Sequence, residues 1–349
     1  MDQNHGETRK IQFTGKSSYI VSLPKKWVED IGLKAGDQVT VVRQDNSMLQ
    51  IVPSKKHSVK TAKEATIEVS KESDVGVPIR KLIALYLIGF NIINIKAKDG
   101  RLRTEQREAF KEAVRKVLMG TEITADSTDG MTIQVLINIV ELSVDGAFKR
   151  MLLIAKSMLK DAMIALQESN NDLAKEVMRS DDEVDRFSFY IIRQLKIAIQ
   201  NEQLLADMGL LKSRDCLGYR LIVKSIERVA DHATNIAEDL LEIKEPIDKD
   251  VLNEINRMSN FASEVLDDAC LSLFKRDYNA GEKAIEMAKK IDEMEGRVMS
   301  NSHGLKKASE LYRIKFITES LRRVAEYASD IAEIVLNMTV EQTLKQSKA

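Results

Sequence analysis

Asp181 and Asp185 stand four residues apart, as do Glu227 and Asp231, with Glu238 two turns further on. At that spacing the carboxylates of each set share one side of a helix, where like charges cost roughly 0.2–0.5 kcal/mol per pair. Asp181 also lies in a row at +4/+3 spacing with Val177, Val184, Ser188, Ile191, Leu195 and Ala198, which points it toward a core stripe. Gathering carboxylates beside a core is expensive unless something positive compensates them. A hard cation with oxygen ligands would do so: Mg²⁺, Ca²⁺, Mn²⁺ or a small iron cluster. Two other readings stand beside it, an ion-pair network using Arg186, Lys224 and Arg228, or a face turned to solvent. His232 falls in line with Val229 and Ile236 and reads as a packed side chain. Catalysis is not expected. The four histidines are isolated, no Glu-x-x-His pair of the di-iron type occurs, and no nucleophile–base set or glycine-rich phosphate cradle is present.

The elements that must position these groups are helices. From Leu142 to Val340 the apolar period is 3.6, with breaks near Asn170, Met208, Pro246, Tyr278 and His303. Six helices in two antiparallel three-helix units follow. The units are copies of one another. MLKDAMIAL (158–166) aligns with VLDDACLSL (265–273) at an offset of 107, and ERVADHATNIAED (227–239) with RRVAEYASDIAEI (322–334) at an offset of 95. The second copy departs from the first. Ala288 stands where Asp181 does and Arg322 where Glu227 does, leaving Asp292, Glu326, Asp330 and Glu333, with Arg322 able to replace a metal by salt bridges.

With Asp181-x-x-x-Asp185 followed by Glu227-Arg228-x-Ala230-Asp231-His232-x-x-Asn235-Ile236-Ala237-Glu238, the body resembles the PhoU phosphate-uptake regulators. That resemblance spans about 200 residues and both copies. It implies two three-helix repeats with (E/D)xxxD motifs that bind multinuclear metal clusters. One divalent or iron-type cluster is expected on Asp181, Asp185, Glu227, Asp231 and Glu238, its identity unspecified.

Ahead of the helices the pattern is β-like. RKIQFTG, YIVSLP, DQVTVVRQ and MLQIVP are short β-prone runs separated by turn signals, with a short helix after Pro24 that ends at Gly32; Trp27 on it reads as core. Gly15-x-Ser17, Val21-x-Leu23-Pro24-Lys25, Leu33-x-x-Gly36-Asp37-x-Val39 and Leu49-x-Ile51-x-Pro53 recur in the order and gaps of the AbrB/MazE/SpoVT swapped-hairpin modules, which this segment resembles. The resemblance implies an intertwined homodimer with Arg9, Lys10, Lys16 and Arg43 against DNA, and Ser17 and Ser18 as lesser donors. Residues 64 to about 140 read as a small β-α-β-α-β layer with Thr104 as a helix N-cap. Four domains and a tail are expected: 1–57, 58–140, 141–244, 245–341 and 342–349.

Net charge supports the division. The chain carries 53 Lys/Arg against 54 Asp/Glu, yet residues 1–60 are +4 and the remainder −5. Two cysteines make no disulfide framework, and no run is long enough to span a membrane. The expectation is a cytoplasmic, phosphate-responsive transcription regulator. Its partners would be DNA, its own second copy, and a phosphate-transport ATPase or sensor protein, without membrane insertion. The alternative is an adaptor that inhibits a phosphate transporter or sensor by protein contacts and leaves DNA alone.

Overall fold

The computed structural model describes residues 7–15, 17–43, 48–53, 63–137, 142–199, 202–208, 210, 212–244, 246–302 and 308–346. The chain divides into two compact units, 1–61 and 62–349.

In the first unit β1 (Gln12–Thr14) and β2 (Ser18–Ile20) form one hairpin, and β3 (Val39–Arg43) and β4 (Leu49–Pro53) another. Gly15 turns the first with φ of +65°, a conformation that glycine reaches without strain. Between the hairpins lies α1 (Lys25–Asp30), started by Pro24 and followed by Gly32 at φ of +70°. The two hairpins do not join into one sheet. None of the described residues in this unit is buried, and Phe13, Tyr19 and Leu49 are 59%, 74% and 70% exposed. Trp27, expected in a core, is only partly covered, because a single copy of so short a segment has no core to offer.

The second unit begins with a layered α/β element: β5 (Glu64–Val69), α2 (Gly76–Leu87), β6 (Ile92–Ala97), α3 (Thr104–Lys116), β7 (Thr121–Asp126) and β8 (Gly130–Val135). The sheet order is β5-β6-β8-β7, with β5 and β6 parallel and the other pairs antiparallel. Alternation sends Ile67, Ile93, Ile95 and Ile133 to the covered face, against Leu82, Tyr86 and Phe110 of the helices. The N-cap of α3 is Arg103, not Thr104. Its backbone N–H donates to the Gln106 side chain, and Gln106 is buried where it also donates to the Ser70 carbonyl, which draws the helix start back by one residue.

The helical body follows: α4 (Val144–Glu168), α5 (Asn171–Ala198), the short α6 (Glu202–Asp207), α7 (Asp215–Glu242), α8 (Lys249–Lys275), α9 (Tyr278–Ala288), α10 (Ile291–Asn301) and α11 (Ala308–Gln346). Several starts are set by side-chain caps. Asn170 accepts from the Leu173 N–H at 3.1 Å, and Asp277 accepts from the Ala280 N–H at 3.1 Å. The six expected helices become eight among the described residues. The added pieces are α6 and a break at Lys289-Lys290 that divides the second helix of the second repeat into α9 and α10. Helices α4, α5 and α7 pack as one bundle, α8, α9–α10 and α11 as the other, and α7 lies along α11. Gly218 permits that last approach, since an added Cβ would fall 2.7 Å from Met338 Sδ.

The α/β layer is fastened to α5. Arg193, 2% exposed, donates from Nη1 to the carbonyls of Tyr86 and of Phe90, the latter at 2.9 Å, and its guanidinium sits 4.8 Å from the Tyr86 ring centroid. Tyr86 lies in the last turn of α2, where its carbonyl also accepts from the Gly89 N–H at 3.1 Å, and Phe90 lies just beyond the helix end. Lys116, the last residue of α3, pairs with Asp182 at 3.6 Å, a second tie to the same helix.

Candidate functional site

Helix α5 carries Asp181 and Asp185, and α7, packed beside it, carries Glu227 and Asp231. The register that brings them together is apolar. Val177, Val184, Ile191 and Leu195 are buried on α5, and Ile226, Val229, Ala233 and Ile236 on α7. Burying each Leu, Ile or Val contributes roughly 1.5–3 kcal/mol, far more than the few tenths that each carboxylate pair costs. The core therefore sets the position of the acids, and the acids accept the repulsion. All four are partly buried.

Their protonation shows the strain. Burial, then Asp231, Asp185 and Glu227, push the Asp181 carboxyl up to about 7. Burial, then Glu227 and Asp231, push Asp185 up to about 6. Asp231 is raised by burial and by Glu227, with Lys224 and Arg228 acting against the rise. Of the three cations expected to neutralise the face, Lys224 does pair with Glu227. Arg186 pairs instead with Glu183 at 2.9 Å, and Arg228 lies 5.5 Å from the Tyr327 ring centroid. Among the described residues one lysine contact thus serves four carboxylates, and Asp181 Oδ1 is buried without a hydrogen-bond partner there. The donor set is all oxygen, as a hard cation requires. In this conformation no three acids, histidines or cysteines among the described residues converge closely enough to hold a metal ion.

Glu238 is exposed and placed elsewhere. It lines a groove of about 670 Å³ between α7 and α11 with His232, Asn235, Asp239 and Arg313. Asp239 is buried there and accepts from Arg313 Nη1 at 2.8 Å, a pair that spacing alone did not reveal because its members come from different repeats. His232 packs against Tyr327 with ring centroids 5.7 Å apart, and burial lowers its pKa.

The second repeat is arranged differently. Asp292, Asp330 and Glu333 are exposed, and Glu326 is taken up by Arg322 and Arg323. The expected set is not assembled, because the break before α10 places Asp292 in an exposed first turn and Arg322 holds the inner position. Sequence reading missed Glu295 and Glu319, which Arg322 contacts. Arg322 itself was the only available signal.

In the first unit Arg9, Lys10, Ser17, Ser18 and Arg43 are all exposed, with Arg9 against Glu7; Lys16 lies outside the described residues.

Fold and site together define a class: tandem three-helix bundles with an acidic face on the first, preceded by a small strand module. Residues 148–240 and 255–335 match the PhoU domain, and residues 12–58 match the MazE bacterial antitoxin family, described as antidote-toxin recognition. The helical body belongs to the PhoU family, and this is a PhoU-domain chain with a MazE-type N-terminal module. The phosphate-specific transport system accessory protein PhoU homolog of Borreliella burgdorferi is 28% identical over 188 residues, 51% of this chain and 82% of the relative. Its Aquifex aeolicus counterpart is 30% identical over 42% of this chain and 64% of its own length. The crystal structure of the phosphate transport system regulatory protein PhoU from Streptococcus pneumoniae matches at 18% identity and a TM-score of 0.48, covering 55% of this chain and 91% of that one.

Proposed function

We propose that this chain is a phosphate-responsive transcription regulator, in which a DNA-binding strand module is joined to a PhoU signalling body. The observation that carries the reading is the presence of both matches in one chain, the strand module at residues 12–58 and the PhoU domains behind it. Two further features support it. The exposed basic residues Arg9, Lys10 and Arg43 belong to a segment of net positive charge, suited to phosphate contacts that release counterions. The exposed apolar side chains of both hairpins need a second copy to cover them, and a paired module presents two readers to a pseudo-palindromic site.

The body's role follows its curated relatives, which are named as accessory proteins of phosphate-specific transport; on this reading it acts on protein partners such as a transport ATPase or a sensor. Asp181, Asp185, Glu227 and Asp231 would hold a hard cation, and that cation would cancel the repulsion between α5 and α7. Binding would thereby bias the packing of the first repeat. The reading places the protein in the cytoplasm, where DNA is accessible; no described helix is long and apolar enough to cross a membrane.

Genome-wide DNA occupancy in phosphate-replete and phosphate-starved cells tests the function. Discrete occupied sites near phosphate-uptake genes, changing with phosphate, are the expected result. Absence of chromosomal sites in both conditions would leave only the adaptor that works by protein contacts.

A further inference from the structure

We propose that the second repeat carries its own cation, the Arg322 guanidinium, and that the two halves of the body are unequal: one face open to an external cation, the other closed by the chain itself. The contrast draws on the first-repeat face, but the argument for the second repeat stands on its own geometry.

The offset of 95 that superimposes the third helices of the two repeats puts Arg322 where Glu227 stands. An acid is thus exchanged for a base at the centre of the motif. In the structure Arg322 reaches inward. Its Nη2 donates to Glu319 Oε1 at 2.6 Å and its Nε to Glu319 Oε2 at 3.3 Å, a forked contact with both carboxylate oxygens. The same Nε lies 3.4 Å from Glu295 Oε2 on α10, and Nη1 donates to Glu326. One planar cation therefore ties three carboxylates from two helices, which is what a bound metal ion would otherwise do. Lys315 adds a contact to Glu295, and Arg323 adds contacts to Glu319 and Glu326. Three acids meet three bases, and no charge is left over to attract a divalent ion.

The backbone agrees. Where the first repeat runs α5 unbroken from Asn171 to Ala198, the second breaks at Lys289-Lys290, directly after Ala288, the counterpart of Asp181. The second helix of this repeat has given up one acidic position and turned Asp292 outward, while Glu295, with a side chain only 13% exposed, faces Arg322. The residues present do not fit an external metal; they fit the arginine.

Bound Mn²⁺ counted by electron paramagnetic resonance on the full chain tests this, in a background of Asp181→Asn with Asp231→Asn that removes the first face. In that background Arg322→Gln gains about one Mn²⁺ per chain, and its thermal midpoint becomes sensitive to EDTA. Arg322→Lys, which keeps a positive charge, gains none. Comparing wild type with the background variant reports on the first repeat separately, so a failure there leaves this inference intact. Mn²⁺ retained in the background with Arg322 present, and lost on Glu295→Gln, would overturn the proposal. So would an Arg322→Gln protein that folds by circular dichroism and binds none. If that variant loses helicity in EDTA, its recovery on adding Mn²⁺ is the expected result, and no recovery also overturns the proposal.

Discussion

Asp181→Asn raises the thermal midpoint of the metal-free protein at about pH 7.5, and by clearly less near pH 5. Most buried-polar substitutions lower stability, so the direction is diagnostic. In the unfolded chain this carboxyl titrates near 3.9, whereas in the fold burial and its acidic neighbours raise it to about 7. Between those values the native state holds a proton that the unfolded state has released. Stability from this group is therefore fully present below about pH 4 and is lost as pH rises through about 7. A shift of this size corresponds to about 4 kcal/mol if undiminished, and partial exposure reduces it to roughly 2 kcal/mol. Removing the charge recovers that amount at about pH 7.5, roughly 4–8 °C in the midpoint. Near pH 5 the native carboxyl is protonated while the unfolded one is largely ionised, so asparagine gives a smaller gain than at about pH 7.5. With Mn²⁺ present the order inverts, because wild type gains from binding and the variant does not. Scanning fluorimetry at both pH values, with EDTA or Mn²⁺, measures all of this. A lower midpoint for the variant in EDTA at about pH 7.5 would mean that the four carboxylates are not in conflict.

Arg193→Ala loosens the α/β layer from the helical body and costs about 3 kcal/mol. The figure combines two opposing effects. The variant loses charge-assisted hydrogen bonds, worth about 1.5–3 kcal/mol, together with the face of Tyr86 and the filled volume. It also sheds the cost of keeping a guanidinium buried, which burial registers as a lowered Arg193 pKa. The stranded Phe90 carbonyl decides the sign, since a buried acceptor without a donor is costly. Arg193→Lys does not restore the wild type, because a single ammonium does not reproduce the two-carbonyl contact and the stacking at once. Hydrogen exchange gives the spatial readout. Amides of residues 88–97 exchange faster in the variant, while those of α8 and α11 stay as they were. Unchanged exchange in residues 88–97 would show that Arg193 does not fasten the layer.

The parts of this architecture written locally were legible in the chain. Asn170 and Asp277 announce helix starts by their own capping chemistry, and Pro24 with Gly32 brackets α1. The duplication was visible from aligned segments, and the four-residue spacing singled out Asp181 with Asp185 and Glu227 with Asp231. What was not legible depends on partners far along the chain. Arg193 reads as an ordinary polar position beside Gln194 and Lys196, and only the arrival of α2 explains its burial. Asp239 with Arg313, and Glu295 with Arg322, are pairs made by packing between helices. The break at Lys289-Lys290 has neither proline nor glycine to mark it, so periodicity ran through it. Glu238 shares a helix side with Asp231 in projection, but sits two turns along, which carries it into the α7–α11 groove.

The central claim is that the positively charged, paired strand module reads DNA for the helical body behind it. Its most direct test is equilibrium binding of the full chain to duplex DNA across a range of ionic strength. Affinity is expected to fall steeply with salt, with a log–log slope of about −3 to −4 per protomer if Arg9, Lys10, Lys16 and Arg43 each meet a phosphate. Arg9→Ala with Lys10→Ala should flatten that slope by about 2. No binding at low salt, or binding indifferent to salt and to both substitutions, would contradict it.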